Sequence, residues 1–143
     1  KIKVMKKLFK FSFVLLLLVV LTTSCKKKGC TDPTATNYDS SAGKDDYSCE
    51  YSYEFSYEVT GTANDYSVTL EGAPSGTVQY ANVSSGWWYN WTRTGQGTRF
   101  LYLSAQNNTS AGSVTVKIIK DGVTIAENTS VGGYVIATVS GDY

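Results

Sequence analysis

From Tyr51 to Val59 the chain runs Tyr-Ser-Tyr-Glu-Phe-Ser-Tyr-Glu-Val, with an aromatic or aliphatic residue at every odd position and a polar one at every even position. A period of two belongs to an extended strand with one buried face; a helix at 3.6 residues per turn would scatter this pattern around its axis. The same habit continues between turn signals. Asn64-Asp65 precedes Tyr66 to Leu70, Pro74-Ser75-Gly76 precedes Thr77 to Val83, and Ser84-Ser85-Gly86 precedes Trp87 to Thr94. Further strands are predicted over Thr98 to Gln106, Ser113 to Lys120, Val123 to Thr129 and Tyr134 to Ser140. Asp121-Gly122 between two β-branched runs predicts a type I′ hairpin, whose two central residues both need positive φ. Seven or eight short strands with no helix between them predict an all-β fold, an antiparallel immunoglobulin-like β-sandwich over 50–143.

The alternation also sketches the core. Val114, Val116 and Ile118, with Val123 and Ile125 on the hairpin partner and Val135, Ala137 and Val139 or their neighbours on the last strand, are expected to line one inner face. Leu101 and Leu103 are expected on the other. Trp87, Tyr89 and Trp91 share one side of their strand, Trp88 and Asn90 the other, so both sides cannot be core. Two readings follow for Trp88. It either covers the sandwich edge beneath a neighbouring loop or stands free beside Asn90 and Arg93 as an aromatic platform for a sugar or a partner residue.

Ahead of the sandwich the composition changes twice. Lys6, Lys7 and Lys10 precede an apolar run from Phe11 to Leu21 broken only by Ser12, and Lys26-Lys27-Lys28 follow at once. Met5, the one methionine, is the expected initiator. A basic start and a short apolar stretch make a secretion signal, expected as a helix, and eleven residues are too few for a span that needs about twenty. Leu21-Thr22-Thr23-Ser24-Cys25 resembles the lipobox of bacterial lipoprotein precursors. The resemblance implies removal of residues 1–24, a lipid on Cys25, and a chain tethered to a bacterial envelope membrane, most simply the outer one. Residues 25–29 then form anchor and spacer, whose lysines either lie on anionic head groups or stay solvated.

From Cys25 onward eight basic side chains face twelve acidic ones, a net charge of −4, so nucleic acid is not an expected partner. With Cys25 lipidated, Cys30 and Cys49 remain as an even pair in an exported protein, which predicts a disulfide. The segment they bound, 30–49, resembles a motif of Bacteroidetes-type exported proteins, C-T-D-P-x-A-x-N-Y, then D-D-G-S-C; Tyr47 stands where the motif has glycine. Asp32, Asp39, Asp45 and Asp46 admit calcium as a cofactor, since hard cations take carboxylate oxygens from short loops. They lack the alternate-position ladder of an EF-hand, and the other reading is that Asp32 with Pro33 starts a short helical turn, Ala35, Tyr38 and Ala42 pack against the bridge, and the aspartates stay in water.

Tyr57-Glu58-Val59-Thr60-Gly61-Thr62-Ala63, the tryptophans from Trp87 to Trp91, and Gly112 to Gly122 with Ala126-Glu127-Asn128-Thr129 and Gly133-Tyr134 resemble the extracellular domain of the small mycobacterial membrane protein family. That resemblance implies a β-sandwich behind a membrane anchor, working beside a transporter. Val116 and Val139 stand near the positions where family members carry a cysteine pair. With no histidine, neither a Ser-His-Asp arrangement nor a histidine zinc site can be assembled, and Glu54 and Glu58 fall on the polar side of their strand. The expected function is therefore non-catalytic: an adaptor or scaffold on an envelope complex, or alternatively a module binding a polysaccharide around Trp88. Asn90-Trp91-Thr92 and Asn107-Asn108-Thr109 match the glycosylation pattern, but a bacterial lipoprotein gives no reason to assign the modification.

Overall fold

The computed structural model describes residues 26–143. The leader helix and the lipid site at Cys25, both expectations from the sequence, lie outside the described residues. Two short parallel strands, β1 (Lys28–Gly29) and β2 (Lys44–Asp45), frame the disulfide segment. Eight longer strands follow: β3 (Tyr51–Thr60), β4 (Tyr66–Ala73), β5 (Gly76–Val83), β6 (Trp87–Gly95), β7 (Phe100–Asn107), β8 (Ser113–Lys120), β9 (Val123–Val131) and β10 (Ile136–Asp142). They form two antiparallel sheets, ordered β6-β3-β8-β9 and β10-β7-β4-β5, packed as a sandwich. Only β4-β5 and β8-β9 are hairpins between neighbours. The other connections cross from sheet to sheet, as Greek-key sandwiches do.

The core lies where the alternation put it. Phe55, Tyr57 and Val59 of β3 and Val114, Val116 and Ile118 of β8 face Tyr66, Val68 and Leu70 of β4 and Leu101, Leu103 and Ala105 of β7, all at most 1 % exposed. Burying one such aliphatic side chain contributes about 1.5–3 kcal/mol, so these few positions carry much of the stability. At the β8-β9 turn, Asp121 (φ 50°) and Gly122 (φ 78°) take the two positive-φ places of the expected hairpin.

Two expectations are corrected. β10 does not extend the face of β8 and β9 but joins the opposite sheet, with Val139 opposite Leu103 and Ala137 opposite Ala105. Alternation dictates which residues of a strand turn inward; it does not encode the sheet that receives them. Val123 is 63 % exposed, because it sits beside the Asp121-Gly122 turn at the hairpin tip, and a bulge between Ile118 and Ile119 resets the register there.

The end of the sandwich away from the disulfide is tied by polar groups. The phenol of Tyr66, itself fully buried, donates to Ala63 O at 2.6 Å and lies 3.0 Å from Ser113 O, the geometry of a tyrosine corner. Gly61 passes so close to β8 (φ 156°) that a Cβ there would sit 2.1 Å from Ser113 O, so only glycine fits. Asn107, also fully buried, donates to Ala111 O and Gly132 O and accepts from the Thr109 amide and hydroxyl.

Candidate functional site

Strand β6 is a sheet edge whose inward side is committed to an aromatic ladder. The ring of Trp91 stacks on Phe55 at 5.3 Å and tilts against Tyr57 at 4.6 Å, Tyr89 follows at 6.0 Å, and Trp87 meets Tyr80 of β5 at 5.1 Å. With Trp87, Tyr89 and Trp91 fixed inward, parity turns Trp88, Asn90 and Thr92 outward. Trp88 is 63 % exposed and is not tucked under a loop. In register beside it on β3 stands Glu58, which pairs with Lys117 of β8 at 3.3 Å. Asn90 lies opposite Ser56, and with Glu54 and Thr92 they border a depression of about 270 Å³. The surface is thus a sheet face carrying one large exposed ring, with amide, hydroxyl and carboxylate groups at strand spacing around it.

Arg93 is not part of this surface. Its position opposite Tyr53 puts it on the other side of β6, and its guanidinium donates to Gln96 O at 2.7 Å and Gly97 O at 2.8 Å, closing the turn after the strand. Residues an odd number apart on a strand point to opposite sides, so Arg93 does not join Trp88 and Asn90 as expected.

The disulfide segment contains the expected Cys30–Cys49 bridge, with Cα atoms 4.7 Å apart. Its aspartates are spread through the turns. Asp32 accepts from the Thr34 amide and hydroxyl and from Tyr51 Oη. Asp39 accepts from Ser41 and pairs with Lys27 at 2.7 Å, Asp45 caps Tyr47, and Asp46 caps Ser48. The Lys27 ammonium, then the Ser41 hydroxyl and amide, hold the Asp39 carboxyl well below the usual carboxylate range. Asp32 is lowered by the Thr34 amide and the Tyr51 phenol, Asp46 by Ser48. Among the described residues no group of three or more potential ligand side chains converges as a metal would require. The structure brings only two of the four aspartates together, Asp32 and Asp45, in a cleft between the segment and the sandwich.

Tyr47 adjoins that cleft and was not among the expected site residues. It keeps a left-handed backbone (φ 63°) at the place where glycine would be easiest, and its side chain is 85 % exposed. A bulky residue so placed costs on the order of 1–3 kcal/mol, with no burial to offset it. The departure from the motif's glycine was the visible signal; that Gln96, far along the chain, holds Tyr47 O at 2.8 Å was not.

No protein-family model matches this chain, and no curated protein does.

Proposed function

We propose that this protein is a lipid-anchored, non-catalytic module of the bacterial envelope whose outer β6-β3 face, centred on Trp88, binds a polysaccharide. The observation that carries the reading is the exposure of Trp88 on a sheet face beside Asn90, Ser56 and Glu58. A sugar ring offers an apolar face for stacking and hydroxyls for the surrounding polar groups, and an amphipathic aromatic suits that demand. The tether rests on the lipobox residues ending at Cys25, and the exported location is supported by the Cys30–Cys49 bridge. A non-catalytic role is supported by the lack of histidine in the sequence.

Affinity electrophoresis through gels containing soluble xylan, mannan or hydroxyethylcellulose tests the reading. Retardation by one of them, lost in Trp88→Ala with the melting temperature unchanged, is the expected result; retardation by none, or equal retardation of the variant, refutes it.

One observation favours a second reading, an adaptor docked on an envelope protein complex. Val131, Tyr134 and Ile136, 79 %, 63 % and 54 % exposed, cluster around the β9-β10 turn, at the end of the sandwich away from the disulfide. Co-purification of an envelope complex from cross-linked membranes, abolished by Tyr134→Ser with Ile136→Ser and unaffected by Trp88→Ala, would support the adaptor instead.

A further inference from the structure

The cleft between the disulfide segment and the sandwich has a volume of about 400 Å³ and is lined chiefly by Asp32, Asp45, Tyr47, Tyr51, Tyr53 and Gln96. Three phenol rings, two carboxylates and a side-chain amide meet here from stretches of chain separated by up to 64 residues, Asp32 to Gln96. Two of these groups are held in place. Tyr51 Oη donates to Asp32 Oδ2 at 2.7 Å, and Gln96 Nε2 donates to Tyr47 O at 2.8 Å. The Tyr47 amide in turn donates to Asp45 Oδ1 at 3.0 Å. The most exposed ring of the cleft is therefore fixed by its backbone, from both sides, in a conformation that a tyrosine adopts only at a cost. Nothing in the packing recovers that cost, since the ring is 85 % exposed.

We infer that this cleft is a second carbohydrate site, separate from the Trp88 face, in which the Tyr47 ring stacks on a neutral pyranose and the carboxylates of Asp32 and Asp45 accept from its hydroxyls. The chemistry of the walls selects that class. Carboxylates beside aromatic rings would also suit an ammonium group, but cations already occupy the neighbourhood: Lys120 Nζ lies 4.2 Å from the centre of the Tyr53 ring, and Arg93 stands opposite Tyr53 in register. A further positive charge would meet both. The negative charge of Asp32 and Asp45 disfavours an anionic ligand. What remains is an uncharged molecule with an apolar face and many hydroxyl donors. The site stands on residues that the Trp88 face does not share, so it holds whether or not that face binds.

The test uses the full-length isotope-labelled protein in a polyoxyethylene detergent, free of sugar and ammonium head groups, titrated with cellohexaose, xylohexaose, mannohexaose and chitohexaose and separately with tetramethylammonium. At least one oligosaccharide is expected to shift the Tyr47, Gln96 and Gly97 amides saturably. Tyr47→Gly should weaken that binding about tenfold, the worth of one aromatic contact, while raising the melting temperature because the backbone strain is relieved. Tyr47→Trp should keep the binding, and Trp88→Ala should leave these shifts unchanged. The inference is overturned if none of the four oligosaccharides shifts these amides, if Tyr47→Gly binds as tightly as the native chain, or if tetramethylammonium alone produces the shifts.

Discussion

Replacing Asn107 by alanine tests how the loops beside the β9-β10 turn are held. The amide makes four hydrogen bonds at full burial: to Ala111 O at 2.9 Å, to Gly132 O at 2.8 Å, from the Thr109 amide at 2.8 Å and from the Thr109 hydroxyl at 2.7 Å. Truncation does not strand all four partners. The Thr109 hydroxyl also lies 2.6 Å from Ala111 O and can turn its single proton there, so those two groups can satisfy each other in the variant. Gly132 O and the Thr109 amide lose their Asn107 partners. At about 1–3 kcal/mol for each group left unsatisfied, Asn107→Ala should cost about 2–6 kcal/mol, toward the low end because both bonds are only part-buried. That is a large share of the roughly 5–15 kcal/mol that holds a domain together. A melting temperature lower by roughly 10–20 °C is expected for a sandwich of this size. Urea unfolding followed by tryptophan fluorescence gives the same quantity, since Trp91 reports on the core. Asn107→Asp is the informative companion. It keeps an acceptor for the Thr109 amide but sets a carboxylate against two carbonyls, so at neutral pH it should be no better than alanine and should recover partly on acidification, when the acid can donate once. An Asn107→Ala variant within about 1 kcal/mol of the native chain, with an unchanged urea slope, would refute the assignment of this amide as the tie between the loops.

Two further outcomes follow from the disulfide segment. The Cys30–Cys49 bridge closes a separation of 19 residues, worth about 3 kcal/mol in the chain-entropy treatment, and neither cysteine belongs to the sandwich core. Reduction should therefore abolish amide-exchange protection between residues 30 and 49 while β3 to β10 keep theirs; a loss spread over both would show that the two parts fold together. The carboxyls of Asp32, Asp39 and Asp46 are all lower in the folded chain than their ordinary value of 3.8. Groups shifted down contribute stability that is present above the unfolded pKa and is lost as pH falls below about 4. On acidification the Thr34, Ser41 and Ser48 amides should lose protection before those of the sandwich, and Lys27→Met should move the Ser41 transition to higher pH; unchanged protection at about pH 2 would contradict the capping roles.

The sequence by itself determined that this is a β protein and which side of its most regular strands is wet. The Tyr51 to Val59 alternation matches the observed burial of Phe55, Tyr57 and Val59, and the Asp121-Gly122 pair takes positive φ as its chemistry requires, because both features are local. The disulfide was legible for a different reason: with Cys25 set aside as the expected lipid carrier, Cys30 and Cys49 allow only one pairing within the chain. Tertiary structure alone decided that β10 joins β7 and not the β8-β9 side, and that Tyr47 meets Gln96 over the cleft. Each of these depends on which strands become neighbours and in what register. That choice is made by the summed fit of two whole sheets, and no single stretch of sequence records it.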